Sequence, residues 1–201
     1  MAVRLAAAGM RVTLGSRDAE RCGGVAHDVV AAWPDRRLDI RGADNAGAAG
    51  ADIVVLATPW DSAVVTLQPL RDALAGKVVI SMANALIREG REMLALVPPR
   101  GSVAAAVQAA LPDSLVAAAF HHLPAGEMEN LDSGLEADVL VCSDHPEAST
   151  ATGSLTEAMA GLRPIIVGSL SQAAAIEAFT AVCITLNMRH KVHSTLRIAG
   201  I

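Results

Sequence analysis

Aromatic side chains are nearly missing from this chain: they make up 2% of 201 residues, with two Trp, two Phe and no Tyr. A platform for stacking nucleobases needs several such rings. The net charge of −5 supplies no basic footprint for a phosphate backbone either. Both features argue against a nucleic-acid partner. Cysteine is also scarce. Cys22, Cys142 and Cys183 lie far apart and form no CxxC, which argues against a disulfide framework or a zinc site and for the reduced thiols of a cytoplasmic protein. The short, Ala-rich start has no long apolar stretch of the secretory type. Ser171 to Met188 is the most membrane-like segment. It carries Gln172, Glu177 and Asn187 and reads as a buried interface helix, so no membrane partner is expected. No GxGxxG occurs between Met1 and Arg17. No cluster of metal-ligand spacing stands out, and none is expected to bind a metal.

What is present is aliphatic. The chain is 52% hydrophobic, with a mean hydropathy of +0.40, so Ala, Val, Leu and Ile must build the core. Residues 2–8 read as a helix stopped by Gly9. Met10 to Leu14 reads as a strand, Asp18 to Trp33 as a helix closed by Pro34, and Leu38 to Arg41 as a short strand. Asp44 caps a short helix. DIVVLA at 52–57 is a continuous apolar run, as expected of a strand buried on both faces. Asp61 to Leu74 is predicted helical and KVVIS at 77–81 a second buried strand, while 84–99 has no clear pattern. A helix is predicted at 102–111, strands at 115–120, 139–142 and 164–167, and helices at 146–160 and from Ser171. Strands alternating with helices predict an α/β fold with a doubly wound parallel sheet. A boundary is expected near 124–136, after which the chain supplies a sheet edge and a helical tail.

LGSRDAER at 14–21 places a hydroxyl and two cations where a strand gives way to a helix. In doubly wound dinucleotide folds a carboxylate at that point binds the 2′-hydroxyl of NAD, whereas Arg accommodates the 2′-phosphate of NADP. Ser16, Arg17 and Arg21 suit the phosphate. The plainer reading is a solvated helix start with Ser16 as N-cap. Trp60, at another strand end, either flanks a cofactor cleft or caps the sheet. Of His121 and His122, adjacent on the chain, only one can face a cleft if the strand continues, and His121 is favoured. The basic tail NMRHKVHSTLR either holds an anionic ligand or complements the end of the last helix.

Five stretches in order, AVRLAAAGMRVTLGSRDAER, DIVVLATPWDSAV, HHLPAGEMENLD, VLVCSDHPEA and GLRPIIVGSLSQAAAIEAFT, together resemble the NADPH-dependent coenzyme F420 reductases, also called F420:NADP oxidoreductases. The resemblance implies an NADP-binding Rossmann-like domain at 1–124 and a smaller C-terminal domain at 125–201 on the deazaflavin side. It also implies a homodimer, and reversible hydride transfer between NADP(H) and coenzyme F420. By the same resemblance Ser16, Arg17 and Arg21 bind the 2′-phosphate, and Thr58, Pro59 and Trp60 line the cofactor cleft. Ser81 and Asn84 flank the nicotinamide, and His121, Leu123 and Pro124 lie near the deazaflavin, with His121 the catalytic candidate. The family's first strand and its Gly-rich loop have no counterpart after Met1, so the expectation is a family member truncated at its N-terminus. SMANAL departs from a more Pro-rich run in the family. The alternatives are an NADP-dependent reductase with another acceptor, or a catalytically silent domain that binds or oligomerises.

Overall fold

Short apolar runs bounded by polar helix starts set the order of elements. The computed structural model describes residues 1–201. In chain order the elements are α1 (Ala2–Ala7), β1 (Val12–Ser16), α2 (Ala19–Ala31), β2 (Ile40–Asp44), α3 (Asn45–Ala48), β3 (Ile53–Leu56), α4 (Ala63–Leu67), α5 (Arg71–Leu74) and β4 (Val78–Ser81). There follow β5 (Leu86–Glu89), β6 (Glu92–Ala95), α6 (Val103–Ala110), β7 (Leu115–Ala118), α7 (Ala125–Glu129), β8 (Ala137–Ser143), α8 (Pro146–Glu157), β9 (Leu162–Gly168) and α9 (Ala173–His190).

Five strands form one sheet in the order β3-β4-β7-β8-β9, while β1 and β2 pair with each other and β5 and β6 with each other. Pairing in the large sheet is parallel except at β7–β8, which is antiparallel. The prediction of a purely parallel sheet fails there because α7 and its flanking turns lie between the two strands and bring the chain back in the opposite direction. The residues after 124 supply β8 and β9 to this same sheet. Successive β4 residues point to opposite faces: Val79 enters the core packed by α4, α6 and α9, and Val78 and Ile80 enter the core packed by α8. Both faces of the sheet are thus covered, as a doubly wound arrangement requires.

Other departures have local causes. β3 is half-buried and not sealed on both faces, because it is the outermost strand of its sheet. The helix predicted over 61–74 is broken into α4, α5 and two 3₁₀ turns, since Pro69 lacks an amide donor for a continuous helix. The unclear stretch 84–99 forms the β5–β6 hairpin, turned at Gly90 with φ +58°. The second strand sits at 40–44, later than predicted, because Asp44 both ends it and caps α3, accepting from the Gly47 amide at 2.7 Å. Within that strand Gly42 is required by close approach, as a Cβ there would lie 2.4 Å from the Cys22 backbone. α1 joins the two parts of the fold. Leu5 packs into the core of the large sheet, and Val3 and Ala6 pack with α2 and β2.

α9 is anchored through a buried carboxylate. Glu177 accepts hydrogen bonds from the Val103 and Ala104 amides at 2.8 and 3.0 Å, and Ser102 caps the same helix start by accepting from the Ala105 amide at 3.0 Å. Burial pushes the Glu177 carboxyl up to about 7, against the two amides that favour its charged form. An acid raised in the folded state binds more protons there than in the unfolded chain, so its contribution to stability falls as pH rises. We expect Glu177→Gln to flatten the pH dependence of unfolding free energy between about 4.5 and 7, relative to the parent protein. Denaturant titrations at several pH values check this, and parallel curves for the two proteins would contradict it.

Candidate functional site

Parallel pairing brings the carboxyl ends of three strands level. Leu56 pairs with Ser81 and Ser81 with Ala118, and the next amides continue the ladder, Met82 donating to the Leu56 carbonyl at 3.3 Å and Ala119 to the Ser81 carbonyl at 3.1 Å. The chain leaves β7 through Phe120, whose side chain is buried and whose φ is +67°. That conformation is unfavourable for a bulky residue and persists only where the surroundings impose it. It turns the chain so that His121 and His122 are both buried.

Their environments differ. His122 Nε2 meets the Asp138 carbonyl at 2.7 Å. Neither nitrogen of His121 has a hydrogen-bond partner; its carbonyl accepts from Asn84 Nδ2 at 3.2 Å. Thr58 Oγ1, Ser81 Oγ and Asn84 Oδ1 are likewise buried and unpartnered. His122 Nδ1 is unpartnered as well, so five side chains with unused polar atoms lie at or just past the ends of β3, β4 and β7. Such groups cost free energy in the absence of a partner, and their concentration at strand carboxyl ends marks the place where doubly wound sheets bind ligands. Burial, with a lesser effect of His122, pushes the His121 ring down to about 3, so it is neutral and offers one donor and one acceptor.

The other predicted residues distribute as follows. Pro59 is exposed, while Trp60 is half-buried and packs on the core under α4 and α6, which is the sheet-capping role. Leu123 packs against the core on the opposite face, and Pro124 is the residue from which α7 starts. Ser16, Arg17 and Arg21 lie apart from this cluster, at the end of β1. The N-cap of α2 is Asp18, which accepts from the Arg21 amide at 3.0 Å, and not Ser16, whose hydroxyl accepts from the Asp18 amide at 3.4 Å. Asp18 takes the cap because it directly precedes the helix. Both Arg17 and Arg21 are exposed, and neither guanidinium is engaged by a carboxylate. In the tail, by contrast, Arg189 pairs with Glu92, Arg197 with Glu136 and Asp138, and His193 with Glu127. Sequence reasoning missed Phe120 and Asp138, since neither a left-handed Phe nor a carbonyl acceptor leaves a compositional mark.

An open cavity of about 460 Å³ lies between α6 and the start of α9. Two of its polar groups are already engaged: Asp144 accepts from the Leu170 amide at 2.9 Å, and Gln108 bridges Leu111, Ser114 and Val116. The strand-end cluster is the better candidate because it gathers several buried polar atoms that have no partner.

Residues 1–85 match the family model described as NADP oxidoreductase, coenzyme F420-dependent. F420-dependent NADP reductases from Methanocaldococcus jannaschii and Methanothermobacter thermautotrophicus are each 33% identical over 207 aligned positions, covering 100% of this chain and 92% and 89% of their own lengths. A crystal structure from Arthrobacter sp. FB24, ascribed to an F420-dependent NADP reductase, superposes with a TM-score of 0.83 at 25% identity, covering 100% of this chain and 93% of its own. Pyrroline-5-carboxylate reductase from Coxiella burnetii shares the fold at a TM-score of 0.56 and 19% identity, covering 94% of this chain and 63% of its own.

The imidazole of His121 should stay neutral throughout pH 5–8, the range in which an ordinary histidine titrates. Histidine NMR across that range checks this, and a midpoint near the ordinary 6.5 would contradict it.

Proposed function

The chain belongs to the F420-dependent NADP reductase family, and from that premise we propose that it transfers hydride between NADP(H) and the deazaflavin coenzyme F420. The observation that carries the reading to this chain's own residues is the set of buried, unpartnered polar atoms on Thr58, Ser81, Asn84 and His121 at adjoining strand ends. The residues fit the two carriers: neutral donors and acceptors suit the uncharged edges of heterocyclic rings, and the unpaired Arg17 and Arg21 suit a phosphate.

When bound, the carriers supply the hydride and the carbon that receives it. The protein's task is to hold, orient and dry them. Ser16 contributes a hydroxyl, and Arg17 and Arg21 contribute charge, to the 2′-phosphate. Thr58, Pro59 and Trp60 form the loop that lines the cleft, with Trp60 stiffening it from the core side. Ser81 and Asn84 present polar atoms toward the nicotinamide. His121, neutral and without a partner, hydrogen-bonds the deazaflavin ring and takes no proton from solvent in the working pH range. Leu123 and Pro124 add apolar surface that excludes water. In this reading 1–124 is the NADP side and 125–201 the deazaflavin side. Exposed Phe179, Val182 and Leu186 along α9 support the homodimer, and three free, buried cysteines support a cytoplasmic setting.

NADPH with oxidised coenzyme F420 should lose the deazaflavin's visible absorbance when this protein is added. No loss, with binding of both carriers verified by calorimetry, would overturn the reading. Arg17→Asp should raise the Kd of NADPH by about tenfold or more, about 1.4 kcal/mol, and leave that of NADH nearly unchanged. Equal weakening of both nucleotides would remove Arg17 from the 2′-phosphate site.

A further inference from the structure

The chain beyond α9 returns to the large sheet and is fastened at one residue. The Asp138 amide donates to the Leu196 carbonyl at 2.8 Å, and the Ile198 amide donates to Asp138 Oδ2 at 2.6 Å. Arg163 binds the same carboxylate through two nitrogens at 2.8 and 2.7 Å, and also donates to the Ile198 and Ile201 carbonyls at 3.0 and 2.7 Å. Arg197 adds a contact at 3.3 Å. The Asp138 side chain is 0% exposed, so this carboxylate is fixed in place on every side.

The third polar group of Asp138, its carbonyl, meets His122 Nε2 at 2.7 Å. His122 is the neighbour of His121, whose ring has no polar anchor of its own. Two side-chain tethers hold the His121–His122 dipeptide: Asn84 on the His121 carbonyl, and His122 on Asp138. The left-handed turn at Phe120 constrains it from the other end. A tail-to-site chain of contacts follows, Ile198 to Asp138 to His122 to His121.

We propose that the tail segment 196–198, acting through Asp138 and His122, is a positioning element that holds the His121 ring at the strand-end cluster. Neither His122 nor Asp138 touches the reacting groups. Their part is to fix where the neighbouring imidazole stands. The proposal rests on the deazaflavin-reductase reading for its kinetic arm but not for its structural one.

His122→Leu removes the donor to the Asp138 carbonyl, and His122→Gln keeps an N–H at similar reach. Misplacing a group that orients a substrate costs about tenfold to a hundredfold in rate. His122→Leu is therefore expected to lower kcat/KM for coenzyme F420 by at least about tenfold while the Kd of NADPH stays within about twofold, and His122→Gln to recover most of the loss. The second readout is independent of turnover. By histidine NMR, His121 should begin to titrate within pH 5–8 in His122→Leu, as the freed ring reaches solvent, and should remain silent in His122→Gln. If His122→Leu does not fold, Ile198→Pro, which deletes the amide that binds Asp138, takes its place with the same readouts. A folded variant whose His121 stays silent and whose F420 kinetics match the parent overturns the proposal, even if its melting temperature drops. A parent protein without turnover sinks the reductase reading alone, and the NMR arm then decides the positioning role.

Discussion

A single buried carboxylate organises the far half of this protein. Asp138 is drawn out of water completely, and an isolated charge in that position would cost several kcal/mol. The cost is offset because every lone pair is met: Arg163 approaches with its planar fork, and Arg197 and the Ile198 amide complete the shell. Arg163 beside it holds the carboxyl well below the usual carboxylate range. This one group joins β8, β9 and the C-terminal segment. Removing it would leave Arg163 Nε and the Ile198 amide without their acceptor, which is why breaking such a pair costs more than the pair contributes.

The strand ends follow the opposite logic. At Asp138 polar atoms are saturated, whereas at Thr58, Ser81, Asn84 and His121 they are buried and idle. A sequence selected for stability alone would place apolar side chains there, as it does a few residues earlier along each strand with Leu56, Ile80 and Ala117. The contrast between the two regions lies within one sheet, one end fully satisfied and the other carrying unused polar atoms. The strained Phe120 falls at the same point, and local strain tolerated beside unsatisfied groups is typical of binding sites.

Much of this was legible in the sequence because the strands are short aliphatic blocks. DIVVLA, KVVIS and VLVC announce themselves by β-branched content, and the strand-to-helix step at LGSRDAER located Ser16, Arg17 and Arg21 at the end of β1. The resemblance singled out Thr58, Ser81, Asn84 and His121, and the fold places them at or just past adjoining strand ends. The rest depended on tertiary contacts. The direction of β8 is set by how α7 turns the chain back, and no residue type encodes it. The β5–β6 hairpin is stabilised by α9, through the Met93 amide to Thr185 Oγ1 at 2.9 Å, a contact between positions far apart in sequence. Trp60 had two readings because a large ring at a strand end suits core and cleft equally, and only packing decides between them. That His122 and not His121 meets the Asp138 carbonyl is likewise decided by tertiary contact.

The poverty in aromatics has an optical consequence. With no tyrosine, near-ultraviolet emission from this protein comes from Trp33 and Trp60. Trp33 packs with α2 and β2, and Trp60 stands directly after Thr58 and Pro59. One indole therefore stands next to the strand-end residues and the other reports on a separate core. Nicotinamide in its reduced form and oxidised deazaflavins both absorb where indole emits, so occupancy of the cleft would quench Trp60 by energy transfer. A Trp33→Phe protein would then carry a single intrinsic lamp at the mouth of its own site, and ligand entry becomes visible without any attached dye.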